Sequence, residues 1–353
     1  MKKILLFLLI LGIVGFVLKP KKSEVSPTAV SIDITVVSEG LNVPWEIVFL
    51  PDGDMLVTER TGDVTKISVG GEKSTLFSLG EVEHTGEGGL LGMALHPDFE
   101  KNHFIYLYLT TSENGQLTNK VLRYKLNGDE FSDRKIILEG INGAANHDGG
   151  RIVFGPDGLL YVTTGDAQRE GSAQDKNSLN GKILRVEDDG ENLEVYSYGH
   201  RNPQGLAWDE HGQLWATEHG PSGTETGNDE LNLIEKGGNY GWPLIRGTQT
   251  GEGMITPVIE SGKNNTWAPA GLAYLDGSLY FGGLRGEALY EAKISNNKVV
   301  ELKEHFKNVY GRIRAVVLGP DGFLYISTSN RDGRGSVNSG DDKIIKINAK
   351  KTF

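Results

Sequence analysis

The chain contains no cysteine. Disulfide staples, thiolate nucleophiles and cysteine-ligated zinc or iron–sulfur centres are therefore excluded. A chain of 353 residues must then hold its fold through an apolar core, and it is long enough to bury one. Basic charge is in deficit, with 36 Lys and Arg against 47 Asp and Glu and a net charge of -11. That balance argues against a nucleic-acid partner, because a phosphate backbone calls for a basic face. The acidic side chains are scattered rather than blocked, which is the pattern of a solvated surface. Helical periodicity is nearly absent, and no strand–Gly-x-Gly-x-x-Gly–helix unit marks a nicotinamide site.

Glycine is abundant, at 48 residues, with 12 prolines, as expected of many short strands joined by tight turns. The N-terminus reads Met1-Lys2-Lys3, then an apolar run Ile4–Leu18, then Lys19-Pro20-Lys21-Lys22. This is a signal-like pattern, short for a membrane span and without an evident small-x-small cleavage site. Residues 1–22 read as a signal peptide or signal anchor, either cleaved or kept as a membrane tether through residues 4–18. Residues 23–32 read as a polar linker, and 33–353 as one extracytoplasmic domain.

That domain is organised by an internal repeat. Six segments share a tight turn followed by a short strand: Leu50–Glu59, His96–Thr110, Gly155–Gly165, Asp209–Glu218, Leu275–Gly283 and Gly319–Thr328. Pro-Asp-Gly, present in several copies, suits the turn, since Pro presets φ and Gly tolerates positive φ. Second strands follow at Asp63–Ile67, Lys182–Val186, Ala288–Ala292 and Lys343–Ile347. The copies lie about 45 to 65 residues apart, which fits four-stranded blades with loops of variable length. The expected fold is all-β: a six-bladed β-propeller of four-stranded antiparallel blades around a central channel. Its long loops gather on one face and carry function.

Four stretches could carry chemistry. His147 sits in the glycine-rich loop Gly143–Arg151, just ahead of the third repeat, and Asp166 ends the strand that follows. A carboxylate beside an imidazole fixes its tautomer and raises its basicity, although a loop histidine facing solvent has the same local sequence. Arg201, Asn202 and Gln204 crowd into the segment Tyr198–Ala207, a donor set costly to bury without a ligand. Glu218-His-Gly-Pro221, followed by Asp229 and Glu230, offers exposed carbonyls near carboxylates, the oxygen chemistry a hard cation such as calcium takes. Arg285, Arg312 and Arg314 complete a set of guanidiniums with Arg201, and strand alternation points Arg312 and Arg314 to one side. Converging arginines suit a ligand with several carboxylates or phosphates.

With these motifs the sequence resembles the pyrroloquinoline-quinone (PQQ) dependent soluble aldose sugar dehydrogenases of the glucose/sorbosone dehydrogenase family. The resemblance runs from about Leu41 to Ile347 and rests on ordered motifs. These are Gly86–Phe99, the His147 loop, Gly199–Gly205, Glu218–Pro221, Asn228–Ile234 with Gly237–Pro243, and Arg312–Arg314. The resemblance implies a six-bladed propeller, an aldose as small-molecule substrate, PQQ and calcium as cofactors, and an external electron acceptor. It implies that His147 takes the proton of the anomeric hydroxyl while hydride passes to the quinone, with Asp166 orienting His147 and Asp229 near the same centre. Glu87, Arg201, Asn202, Gln204, Thr266, Arg285, Arg312 and Arg314 are implied to contact the cofactor. The carbonyls of Gly220 and Pro221 are implied to bind calcium, with Glu230 and Tyr240 at a second calcium. Arg285 stands where some relatives carry Lys, Asn146 where some carry Asp, and Ser222–Gly227 lengthens the loop before Asp229. Two other readings stay open: a calcium-dependent propeller lactonase in which His147 activates water, and a non-catalytic propeller that binds proteins. Monomer and homodimer are both open as well.

Overall fold

The computed structural model describes residues 33–221 and 227–353, and the described chain forms one unit, Asp33–Phe353. The signal or anchor expected at 1–22, the linker at 23–32 and most of the 222–227 insertion lie outside the described residues.

Six antiparallel sheets of four strands each make up the fold, so the expected propeller is the observed one. In chain order, the strands nearest the axis are Pro44–Phe49, Leu90–Leu95, Ile152–Phe154, Pro203–Trp208, Pro269–Leu275 and Ile313–Leu318. Each repeat strand recognised in the sequence is the second strand of its blade, as in Met55–Glu59 and Leu160–Thr164. The exception to chain order is the last blade. Its outer strand is Ile34–Ser38, from the start of the domain, paired antiparallel with Ile344–Ile347 near the end. The ring is therefore closed by hydrogen bonds between the two ends of the domain. Among the described residues, helix is confined to two single turns, Phe99–Asn102 and Ala349–Thr352, and one 3₁₀ turn. Among the described residues no helix is long and apolar enough to cross a membrane.

The core is divided as the blades are. Six apolar clusters each fill the gap between two neighbouring blades. Successive side chains of a strand point to opposite faces, so one strand serves two clusters. Ile326 and Ile345 pack toward the fifth blade, whereas Tyr325 and Ile344 pack toward the first. The blades stand face to face, and the strand ends and connecting loops are left to ring the axis. It is there that the polar residues singled out in the sequence converge.

Candidate active site

A cavity of about 370 Å³ opens at the end of the channel where these loops meet. Its walls include Glu87, His147, Arg201, Gly220, Pro221 and Asp229, together with Thr266, Arg285 and Arg312. Residues from across the sequence thus share one chamber because each blade contributes a loop.

His147 sits on a backbone with φ of 68°, a left-handed conformation uncommon for a residue with a side chain, although His tolerates it better than most. Ala167, Gln168 and Ala268, beside the same chamber, also have positive φ. Two contacts hold His147: its N–H donates to Glu87 Oε2 at 3.0 Å, and its carbonyl accepts the Ala167 N–H at 3.1 Å. The close approach to the following strand needs glycine. A Cβ on Gly165 would lie 1.8 Å from the His147 carbonyl oxygen.

The imidazole Nδ1 lies 2.7 Å from Asp166 Oδ1. Asp166 is fully buried, its Oδ1 also accepts the Gln168 N–H at 2.8 Å, and its Oδ2 accepts the indole N–H of Trp242 at 2.8 Å. With every neighbour a donor, the carboxylate has one role toward the ring, to accept the Nδ1 proton, which leaves Nε2 as a lone-pair site. The histidine side chain is only 15% exposed, and the ring borders the cavity.

Glu87 turns its other oxygen, Oε1, to Arg334 at 2.6 Å. Burial alone would raise its pKa, but His219, Arg334 and the His147 N–H overcome that and bring it down to about 2. Asp229 is buried and saturated. Its Oδ1 accepts the Gly220 N–H at 2.8 Å, and its Oδ2 accepts Thr266 Oγ1 at 2.7 Å and the N–H groups of Trp267 and Ala268 at 2.7 and 2.9 Å. A carboxylate with four donors fixes the Gly220–Pro221 wall in place.

The basic set is graded by depth. Arg312 lines the cavity, ion-paired to Asp332 at 2.7 Å and donating to the Leu284 carbonyl at 2.9 Å. Arg285 is exposed on the same wall. Arg201 lies against the Trp242 ring, 5.3 Å from its centroid. Asn202, Gln204 and Arg314 are buried and are not among the residues that line the cavity. Gln204 Oε1 accepts Arg314 Nη1 at 2.9 Å, and Asn202 Oδ1 accepts the Gly149 N–H at 2.9 Å. Burial, reinforced by Arg60 and Arg312, lowers the Arg314 pKa to about 9.

Glu230 and Tyr240 lie apart from this chamber, around a small gap that Glu218 also borders. Burial and the Glu218 charge push Glu230 up to about 8. Its carboxylate accepts Asn232 Nδ2 at 3.0 Å and the Gly247 N–H at 3.3 Å. The Tyr240 hydroxyl donates to the Leu233 carbonyl at 2.6 Å, and its ring stacks on His200. Among the described residues no three His, Asp or Glu side chains group as a metal centre.

Three site residues escaped the sequence reading: His219, Gln168 and Arg334, all on the cavity wall. Burial, with Arg201 and Arg314 nearby, brings the His219 pKa down to about 4, so the ring is neutral at ordinary pH. A further arrangement looks catalytic and is sealed. Ser197 Oγ, His200 and Glu218 form a row with 2.8 Å spacings, but all three are buried, and the Glu218 carboxylate also receives the Arg201 N–H. The row braces the Arg201 loop and offers no nucleophile to a substrate.

Residues 41–337 match the glucose / sorbosone dehydrogenase family. The chain belongs to that family. It is 32% identical to the aldose sugar dehydrogenase YliI of Escherichia coli over 343 residues, 86% of this chain and 91% of that one. To quinoprotein glucose dehydrogenase B of Acinetobacter calcoaceticus it is 34% identical over 278 residues, 67% of this chain and 57% of that one. The solved PQQ-bound form of the aldose sugar dehydrogenase of Streptomyces coelicolor superposes with a TM-score of 0.81 at 39% identity, covering 89% of this chain and 97% of that one. This member of the glucose/sorbosone dehydrogenase family is thus an oxidoreductase by kinship, with its loops gathered around one chamber.

Proposed function

We propose that the chain oxidises aldose sugars at the anomeric carbon to lactones, using PQQ with calcium as the electron sink. The observation that carries the reading is the Trp242–Asp166–His147 row ending at a chamber walled by arginines. The donor set fits a tricarboxylate. Among the described residues, Asn202 Nδ2, His219 Nε2 and Arg314 Nε are buried without a hydrogen-bond partner, and His219 borders the cavity, where a polar ligand would relieve it. The solved PQQ-bound relative adds weight to that choice of cofactor.

When bound, PQQ supplies a two-electron acceptor and calcium polarises its quinone. Arg201, Arg285, Arg312 and Thr266 would hold the cofactor from the wall, with Asn202, Gln204 and Arg314 beneath. The carbonyls of Gly220 and Pro221 would take the calcium, and Asp229 holds that wall in place through the Gly220 N–H. Glu230 and Tyr240 would serve a second, structural calcium. His147 Nε2 accepts the proton of the sugar's C1 hydroxyl. Asp166 holds the Nδ1 proton and stabilises the imidazolium that forms. Export to an extracytoplasmic compartment, with the signal-like segment either cleaved or retained, and a separate electron acceptor complete the reading.

The test is reconstitution. Purified protein with PQQ and Ca²⁺ is given glucose, galactose or xylose, and reduction of an artificial dye is followed. Cofactor-dependent turnover with at least one aldose is expected. Its absence with all of them overturns the proposal.

A further inference from the structure

Arg334 lies in the loop between the second and third strands of the sixth blade, Leu324–Thr328 and Ile344–Ile347, in a turn, Asp332-Gly-Arg-Gly335, that looks unremarkable in sequence. In the fold it reaches across the mouth of the chamber to two other blade connections. Its Nη1 meets Glu87 Oε1 at 2.6 Å, 247 positions away, and its Nη2 donates to Asn146 Oδ1 at 2.7 Å, 188 positions away. One planar fork therefore holds both sides of the His147 loop. Asn146 is the residue immediately before His147, and Glu87 is the acceptor of the His147 N–H.

The guanidinium itself is aimed from its own turn, where the Arg334 N–H donates to Asp332 Oδ1 at 2.9 Å. Asp332 is in turn paired with Arg312 on the cavity wall. A chain of contacts thus runs from Arg312 through Asp332, Arg334 and Glu87 to the backbone of His147. What it secures is the left-handed backbone of His147, a conformation uncommon outside glycine. A surface ion pair at 50% exposure would stabilise little by itself. Here its partner carboxylate is only 13% exposed and its second oxygen is committed to the His147 N–H.

We propose that Arg334 is a positioning residue for the base: it acts through Glu87 and Asn146 to fix where His147 Nε2 points, without touching the sugar. The proposal rests on the reading of His147 as the general base. If the fork sets that geometry, its loss lowers kcat and leaves sugar affinity largely alone.

The experiment compares wild type, Arg334→Ala, Glu87→Ala and the double variant in the reconstituted enzyme, and follows hydrogen exchange of Gly143–Gly150 in cofactor-free protein. Arg334→Ala is expected to lower kcat about 10- to 100-fold, the scale of a small misplacement of a catalytic group. KM for the aldose should stay within about threefold. In the Glu87→Ala background the same substitution should add less than it costs alone, since only the Asn146 arm of the fork is then left to lose. Exchange of the His147 loop should quicken in Arg334→Ala and stay at the wild-type rate in Arg134→Ala, which removes an arginine paired to Glu81 at the surface. Wild-type kcat in Arg334→Ala, or a full independent loss on top of Glu87→Ala, overturns the proposal. If wild type itself shows no aldose turnover, the functional reading fails, and an unchanged exchange rate of the loop separately refutes the clamp.

Discussion

Asp166→Asn is the substitution that asks most of the structure. The two side chains are nearly isosteric, so shape is kept and only charge and hydrogen-bond polarity change. Asp166 is surrounded by donors: His147 Nδ1 and the Gln168 N–H at Oδ1, and the Trp242 indole at Oδ2. An asparagine cannot satisfy all three. With its oxygen toward His147, its NH₂ confronts the indole N–H, a buried donor–donor clash worth about 1–3 kcal/mol of stability. With its NH₂ toward His147, the ring must carry its proton on Nε2, and the base is lost. Charge adds to this. An imidazolium about 4 Å from a carboxylate, at an effective dielectric near 20, gains about 4 kcal/mol. Loss of that term alone corresponds to about a thousandfold in rate. Asp166→Asn is therefore expected to lower kcat of the reconstituted enzyme about 10³-fold or more, with PQQ affinity retained, and ¹⁵N spectra of the imidazole should report the altered tautomer. A kcat within tenfold of wild type, with Nδ1 still protonated, would refute the assignment of Asp166 as the group that orients the base.

His147→Gln should abolish turnover, by at least about 10³-fold, while cofactor binding measured by titration persists. Gly165→Ala should cost about 100-fold in kcat, because a methyl 1.8 Å from the His147 carbonyl must push that residue aside; unchanged kinetics would show that the approach is not needed. Asp148 gives a stability prediction. Burial lifts its pKa to about 6 against the hydrogen bonds from Asn119 and the Ala144 N–H. A carboxyl raised in the folded state holds its proton more tightly there than in the unfolded chain. Stability is thus greatest below the unfolded value and declines as pH rises through the folded one, by about 3 kcal/mol at most. In urea titrations at pH 4 and pH 8, the stability of wild type minus that of Asp148→Asn should fall by that order; a difference independent of pH would contradict the assignment.

The repeat strands were legible because each is a short run of apolar, aromatic and β-branched residues fenced by turn residues and buried along its length, and the strands Asp63–Ile67 and Lys182–Val186 that follow two of them matched as well. The strands nearest the axis were not, since several, such as Pro203–Trp208 and Pro269–Leu275, mix Pro, Gly and Ala where backbones crowd the channel. Ile313, between Arg312 and Arg314, packs into a cluster between blades. Depth along the axis has no signature in sequence, so only the structure separates Arg312, on the cavity wall, from Arg314, beneath it. His219 stood inside a recognised motif, but its exposure to the chamber depends on Glu218 turning back to His200. Arg334 had no local signal at all, because its partners are hundreds of positions away.

The pairing of Ile34–Ser38 with Ile344–Ile347 has a temporal meaning as well. During synthesis the first of these strands emerges more than 300 residues before its partner. For all that interval it is an uncommitted edge, and the sixth blade lacks its outer wall. Arg312, Arg334 and the loop that carries Asp332 belong to that last blade. The chamber therefore cannot be completed progressively as blades are added: its last wall arrives with the blade that the two ends of the domain build together. A pairing so distant in sequence makes for slow final assembly, and any cofactor that stabilises the finished ring would favour the closed state over its unlatched precursors.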